Sequence, residues 1–264
     1  MTRLGLALTV IVMLIRTASP TRADTEIPPL IADRPGITDT PQPMPKGYLQ
    51  IESGFSYNVD RVLGNRIEFD DVSIDIIGLL FRYGLTEAVE LRLGSGFTRD
   101  RSDDPYFDPV ISGINGLTLG TKIRLFTENG ARPNAGLVLS MFAPVGNDEL
   151  TGDKIQPRLE FAASNTLSNT VQIGYNLGGT WDAASEFVCF YSGAANFVLT
   201  NSVSVFAEFF GELAQAYKPM VTADGGVAWV LRHNVQLDGF GGYVLAGAQD
   251  GWFASVGLTL RIPR

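Results

Sequence analysis

The chain has 264 residues, of which 45% are hydrophobic, and its formal net charge at pH 7 is −8. This length allows one domain of barrel size or two small domains, and the negative charge argues against a nucleic acid partner. Outside the N-terminal region no window reaches 18 apolar residues, so the sequence predicts no transmembrane helix. Cys189 is the single cysteine, which excludes an internal disulfide, and we interpret it as a small packed side chain.

Residues 1–23 have the features of a secretory signal peptide. Arg3 supplies a positive charge, residues 4–15 form an apolar run, and residues 21–23 offer small side chains at the cleavage positions. A membrane anchor is the alternative, but the apolar run is too short to span about 30 Å as a helix. We therefore expect export of the chain and removal of residues 1–23.

Residues 24–46 form a proline-rich arm without helical or strand periodicity. Its six prolines are Pro28, Pro29, Pro35, Pro41, Pro43 and Pro45. This composition predicts extended or irregular backbone.

Residues 79–97, LLFRYGLTEAVELRLGSGF, carry the clearest local pattern. On both sides of a short join, apolar residues alternate with polar or small ones, among them Arg82, Glu90 and Arg92. Period two around a join that contains glycine predicts a β-hairpin with one apolar face and one charged face.

Twelve such two-faced segments follow one another from residue 47 to residue 264. In the second segment Ile74 and Ile76 are out of phase with Leu79 and Phe81, which predicts a bulge near residues 76–78. No other element is left to cover so much apolar surface, whereas a barrel can turn its apolar face to lipid and its polar face to a lumen. We predict an all-β fold, a 12-stranded antiparallel up-and-down transmembrane β-barrel. A soluble secreted β-protein is the alternative.

The joins between these segments alternate in length. Short joins are predicted at 84–87, 127–132, 165–169, 199–202 and 232–234, and longer, more acidic ones at 59–70, 99–116 and 145–153. Outer-membrane barrels have tight periplasmic turns and longer outer loops. The pattern therefore favours the outer membrane. It also places the arm on the periplasmic side, where the arm either enters the lumen as a plug or hangs free as a tether.

Three stretches resemble one bacterial family. The first is IADRPGITDTPQPMPKGYLQIESGF, residues 31–55; the second is FRYGLTEAVELRLG, residues 81–94; the third combines Leu119, Gly120 and Lys122 with the residues 143–146. Together they are similar to the outer-membrane proteins of the family named Putative MetA-pathway of phenol degradation. In the first stretch the matching residues are Asp33, Arg34, Pro35, Thr38, Pro45, Gly47, Gln50, Glu52, Gly54 and Phe55.

The resemblance implies a barrel that passes small compounds, hydrophobic or aromatic ones included, and it implies no catalytic residue. Our first hypothesis is an outer-membrane channel or transporter for passive uptake. The alternatives are a structural or adhesive barrel and an outer-membrane enzyme. Expected partners are a small solute, outer-membrane lipid and lipopolysaccharide, and the outer-membrane assembly machinery.

Alternation also predicts which charged residues face the lumen. The expected pore-lining residues are Arg82, Glu90, Arg92, Lys122, Arg124, Arg158 and Glu160, and the same face carries Gln50, Glu52, Glu208 and Asp238. Opposite charges on neighbouring strands can pair and brace the lumen. They can equally form an electrostatic constriction that selects solutes.

Other residues that could carry chemistry are few. His233 is the only histidine and lies in a predicted turn without a nucleophile nearby, so we expect no enzyme. The acids of the longer joins could bind a hard cation or serve solubility alone, and we predict neither a metal site nor a cofactor. Those acids are Asp100, Asp103, Asp104, Asp108, Asp148, Glu149 and Asp153. We expect Trp181, Trp229, Trp252, Tyr48, Tyr57 and Tyr83 to anchor the barrel at the membrane interfaces.

Overall fold

The computed structural model describes residues 27–63, 68–102, 110–215, 218–247 and 249–262. The predicted signal peptide, residues 1–23, and the acids Asp103, Asp104 and Asp108 lie outside this part of the chain.

Twelve antiparallel strands close into a barrel in which each strand pairs with its neighbours in sequence and the first pairs with the last. The strands are β1 Leu49–Leu63, β2 Glu68–Gly84, β3 Val89–Ser102, β4 Val110–Phe126, β5 Asn134–Gly146, β6 Gln156–Thr166, β7 Val171–Trp181, β8 Phe187–Val198, β9 Val203–Ala214, β10 Met220–Arg232, β11 Val235–Ala246 and β12 Gln249–Ile262. One helical turn, α1 (Asp148–Thr151), follows β5 and is capped by Asn147. The predicted all-β, 12-stranded up-and-down barrel is confirmed. Across the described ranges, no helix has the length and apolar character needed to cross a membrane.

The wall has an apolar outer face and a polar inner face. On β3, Leu91 and Leu93 are exposed on the outside, whereas Glu90, between Val89 and Leu91, is completely buried inside. The buried polar side chains of the strands are Gln50, Glu52, Arg82, Glu90, Thr98, Lys122, Glu160, Ser164, Asn176, Ser192, Glu208, Thr222, Asp224, Gln236, Asp238, Ser255, Thr259 and Arg261. A continuous apolar outer surface combined with a polar interior is the arrangement of a membrane-spanning barrel.

Aromatic side chains lie near both ends of the outer face. Trp252 packs beside Tyr57 with ring centroids 5.7 Å apart, and Trp181 meets Phe187 edge to face at 5.1 Å. Exposed Tyr83 and Trp229 lie near the opposite end. Rings in these positions suit the two headgroup regions of a bilayer.

The bulge predicted near residues 76–78 is confirmed. Asp75 pairs with Thr98 and Ile77 with Phe97, so Ile76 is an extra residue in β2. Both Ile76 and Ile77 are exposed on the outer face as a result. The extra residue restores the alternation that the sequence pattern breaks.

The predicted long joins at 59–70 and 99–116 are wrong in extent. β1 continues to Leu63 and β2 begins at Glu68, while β3 continues to Ser102 and β4 begins at Val110. Strand pairing continues through these polar stretches, but the apolar alternation that marks a lipid-facing strand stops. The sequence pattern therefore underestimates the length of the strands. The asymmetry in the lengths of the joins is therefore smaller than expected. At the end where β1 begins, the strands are separated by residues 85–88, 127–133, 167–170, 199–202 and 233–234. At the other end, they are separated by residues 64–67, 103–109, 147–155, 182–186, 215–219 and 247–248.

An arginine substitution on the outer face tests the membrane orientation. Val256, near the middle of β12, is 59% exposed, and Leu199, in the turn before β9, is 60% exposed. V256R should lower the free energy of unfolding by about 2–4 kcal/mol, because the charge would lie in hydrocarbon, whereas L199R should cost about 0–1 kcal/mol. Urea titrations of both variants in phospholipid vesicles measure the difference. Equal costs would contradict the placement of this face in lipid.

Candidate functional site

The described part of the proline-rich arm runs into the barrel. It enters at the end where β1 begins: the Gly47 backbone N–H donates to the Gly84 carbonyl oxygen at 2.7 Å, and Gly84 N–H donates to Tyr48. A Cβ on Gly84 would lie 2.1 Å from the Pro45 carbonyl oxygen, so only glycine allows this approach. We call residues 31–44, which run through the lumen, the arm loop.

Followed from Met44 back to Thr38, the C-terminal leg of the arm loop runs along the wall away from β2. Met44 N–H donates to Glu90 at 2.7 Å, and Met44 itself is buried. On β5, Gly136 leaves room for the Pro41 carbonyl oxygen, which would lie 2.5 Å from an added Cβ. The Thr38 hydroxyl then reaches Ser192 on β8 at 2.8 Å. The loop therefore crosses the lumen from one side to the other.

The far side of the arm loop is held by Glu208 on β9. This carboxylate accepts the backbone N–H groups of Ile37 at 2.7 Å and Thr38 at 2.6 Å, as well as the Thr38 hydroxyl. Gly36 has φ +98° and lies against Glu208 and the Phe206 ring. A positive φ combined with so close a contact leaves room for glycine only.

Arg34 anchors the N-terminal leg of the arm loop. Its guanidinium donates to Asp238 and to Ser255, each at 3.0 Å. The planar group lies on two glycines that face each other across β1 and β12: a Cβ on Gly54 would be 2.4 Å from it, and one on Gly257 would be 2.2 Å from it. The absence of a side chain at these two glycines therefore makes room for the arginine.

Arg82 on β2 holds both legs of the arm loop together. Its guanidinium donates to the carbonyl oxygens of Ile31, at 3.2 Å, and Gln42, at 3.4 Å. It also contacts two wall carboxylates, Glu52 and Glu90, each at 2.8 Å. The side chain is completely buried. Because a guanidinium presents several donors in one plane, a single side chain can hold four groups at once.

Asp33 is the carboxylate on the arm side of the same network. Its oxygens lie 2.6 Å from Arg92, 2.8 Å from Lys122 and 3.3 Å from Arg82. It also accepts the Thr40 N–H and hydroxyl, which closes the loop from within. Charged groups on three neighbouring strands therefore converge on one arm residue.

The two carboxylates of the arm loop, Asp33 and Asp39, differ in how far nearby cations compensate their burial. Burial alone raises the pKa of Asp33, but the charges of Arg82, Lys122 and Arg92 outweigh burial and hold this pKa well below its ordinary value. Burial raises the pKa of Asp39 to about 6, and the charge of Arg92, 3.5 Å away, offsets this rise only in part. Asp33 therefore remains ionised at neutral pH.

The predicted pore-lining residues fall into two groups. Four of them belong to the network with the arm: Arg82, Glu90, Arg92 and Lys122. The other three lie elsewhere on the wall: Arg158 pairs with Glu160 at 2.8 Å and stacks on Phe190, and Arg124 is half-buried opposite Gly136. Alternation indicates the face of each residue, but it does not indicate that the first group contacts the arm.

A cavity of about 510 Å³ lies between the arm loop and the wall of β1–β4. Inward glycines at 78, 94 and 96 leave this space, and Arg92, Asp75 and Asn115 are among the polar residues that line it. The lumen is therefore narrowed by the arm but is not filled.

His233 and the acidic loop residues are the remaining candidates that the sequence offers for chemistry. His233 lies between β10 and β11, and its carbonyl oxygen accepts from Arg261 at 3.0 Å. Within the described ranges no group of three or more His, Cys, Asp or Glu side chains is placed to hold a metal ion.

Solved structures with the same fold include outer-membrane proteins. The COG4313 outer membrane channel from Pseudomonas putida F1 is 17% identical over 84% of this chain and 97% of that chain, with a TM-score of 0.68. The translocator domain of the autotransporter NalP from Neisseria meningitidis is 10% identical over 87% and 90%, with a TM-score of 0.56. The NanC porin is 7% identical over 80% and 98%, with a TM-score of 0.51. No curated protein matches the chain.

A family model described as Putative MetA-pathway of phenol degradation matches residues 32–262. The match starts in the arm loop and ends at the last residue of β12, so it covers both the arm and the whole barrel. This agrees with the resemblance inferred from the sequence motifs. The chain belongs to the Putative MetA-pathway of phenol degradation family.

Proposed function

We propose that this chain is an outer-membrane channel for the passive uptake of small compounds, hydrophobic and aromatic ones included, and that the arm loop is its gate. The observation that carries the proposal is the position of residues 31–44: they cross the lumen of a closed barrel and are attached to its wall by polar contacts. The family and the fold support the same assignment.

The way the arm is attached favours a gate over a permanent part of the wall. Residues 27–48 contain no strand or helix, and the barrel ladder is complete without them. Glu208, Arg82 and Arg261 hold the arm through side-chain contacts, each of which water or a solute can replace. The arm can therefore leave the lumen without unfolding the barrel.

The phenylalanines on the inner wall of β9–β12 favour the proposal of an apolar solute. Phe206 and Phe240 have ring centroids 6.3 Å apart, and Phe253 lies 5.6 Å from Phe240 and 6.5 Å from Phe210. These rings face the lumen and form an aromatic patch on an inner wall that also carries many polar side chains. A solute with an aromatic or aliphatic body would find contacts here that water does not offer.

Transport without catalysis agrees with the residues present. Cys189 lies between the buried, inward-facing Val188 and Phe190, so its thiol faces outward on β8. His233 lies in a turn at the barrel end. The proposal therefore assigns neither of them a chemical role. The expected partners are lipid and lipopolysaccharide, which contact the apolar outer face, and the outer-membrane assembly machinery.

Removing the Arg82 side chain should open the channel. R82M would leave Glu52, Glu90 and Asp33 without their shared cation, and loss of one partner from a buried ion pair costs about 3–5 kcal/mol. We expect the arm loop to leave the wall and single-channel conductance in planar bilayers to rise several-fold. The matched control is R158M, because Arg158 pairs with Glu160 on the wall. If both variants conduct like the wild type, the arm does not control the path.

A reversible cross-link should lock the gate. A Cβ on Gly174 would lie 3.2 Å from the Thr38 Cγ2 atom, so T38C/G174C places two thiols within bonding reach in a C189S background. The oxidised form should show less solute uptake in liposome swelling than its reduced form, since the arm can then no longer leave. The control is the same oxidation applied to C189S alone. Equal uptake before and after reduction would show that transport requires no movement of the arm.

A further inference from the structure

One acidic side chain of the inner wall is buried without a hydrogen-bond donor among the residues that the structure describes. Asp224 on β10 is 9% exposed, and no donor in the described part of the chain reaches either of its oxygens. A buried carboxylate normally accepts several hydrogen bonds or pairs with a cation, because leaving it bare costs free energy. Its cross-strand neighbour is a second carboxylate, Glu208, which supplies no donor when it is ionised.

Glu208 is satisfied, whereas Asp224 is not. The arm loop donates two backbone N–H groups and one hydroxyl to Glu208. Arg34, which is the one cation in the arm loop, donates to Asp238 and Ser255 instead. An acidic group therefore faces the lumen beside the arm, and the described part of the arm donates no hydrogen bond to it.

Aromatic rings surround this carboxylate on the lumen face. Phe206 and Phe210 lie two residues on either side of Glu208 on β9, where they pair with Gly226 and Thr222 of β10. Phe240 and Phe253 come from β11 and β12 and pair with Gly226 and Gly242. We call these four phenylalanines with Asp224 the acid-aromatic cluster.

Two glycines bring the rings close to the carboxylate. A Cβ on Gly242 would lie 2.6 Å from Phe253 Cε1 and 2.7 Å from Asp224 Cβ, so the ring edge and the acid side chain lie over the same bare position. A Cβ on Gly226 would lie 2.8 Å from Phe206 Cε1. Phe210, Phe240 and Phe253 keep part of their surface exposed to the lumen.

An unpaired carboxylate among aromatic faces suits one class of ligand. Ring faces attract cations through their quadrupole, and carboxylate oxygens accept N–H donors in short charge-assisted bonds. One end of the cluster already shows the first interaction, because the Arg34 guanidinium lies 5.4 Å from the Phe240 centroid. We propose that the acid-aromatic cluster binds protonated amines with an apolar body, with the ammonium on Asp224 and the body against the phenylalanines. This inference rests on the proposed function for the route by which the amine reaches the lumen.

Three probes of one shape test the proposal in the detergent-solubilised, full-length mature protein. Benzylamine is a cation at pH 7, benzyl alcohol is neutral and benzoate is an anion. Isothermal titration calorimetry should show benzylamine binding at least about tenfold more tightly than the other two. Equal affinities, or a preference for benzoate, would overturn the assignment.

Matched variants locate the site. D224N keeps the shape of the side chain and should abolish the preference for benzylamine. D75N should retain it, because Asp75 is a lumen carboxylate that Ser56 and Thr98 already satisfy. F253L should weaken benzylamine several-fold. If D224N still discriminates, or if neither D224N nor F253L changes binding, the ammonium binds elsewhere and the proposal fails.

Conductance separates this inference from the proposed function. A wild-type protein that conducts but shows no amine preference would overturn the amine site and leave the channel standing. A protein that binds benzylamine through Asp224 but never conducts, even after R82M, would overturn the channel and leave the site standing.

Discussion

The pairing of Arg82 with groups from both the wall and the arm is the interaction on which the rest of the lumen depends. An arginine at full burial is tolerated only where its charge and its donors are satisfied. Here Glu52 and Glu90 supply charge from the wall, while Ile31 and Gln42 supply carbonyl oxygens from the arm. Neither the wall nor the arm satisfies this guanidinium alone, so the barrel interior and the arm loop stabilise each other.

The same logic explains the charge distribution of the inner wall. Where the arm meets β2–β4 the wall supplies cations to Asp33, and where the arm meets β9 the wall supplies a carboxylate to backbone N–H groups. Residues 27–46 of the arm have no regular structure, so their polar backbone must find partners on the wall. The arm donates no hydrogen bond to Asp224, and the position of this residue beside the phenylalanines leaves an acidic, partly aromatic surface facing the lumen. A plug held by polar contacts and a wall that attracts apolar cations can operate in one narrow channel.

The sequence alone predicts the strands and their faces because alternation is a local property. The bulge at Ile76 was also predictable, since the change of phase lies within one strand. The strand ends near Leu63 and Ser102 were not, because apolar alternation stops where the strands leave the lipid while pairing continues. The path of the arm was out of reach as well: Arg34 and Asp238 are 204 residues apart, and no pattern inside the arm indicates its partners. Alternation placed Arg82 on the inner face and could not reveal that it joins two legs of the arm.

Hydrogen–deuterium exchange of the arm in phospholipid bilayers tests the central claim most directly. The amides of Asp33, Ile37, Thr38 and Met44 all donate to wall carboxylates. If the arm loop lies in the lumen as described, these amides should exchange on the order of 100-fold more slowly than the same sequence as a free peptide. Exchange at the rate of the free peptide would contradict the account.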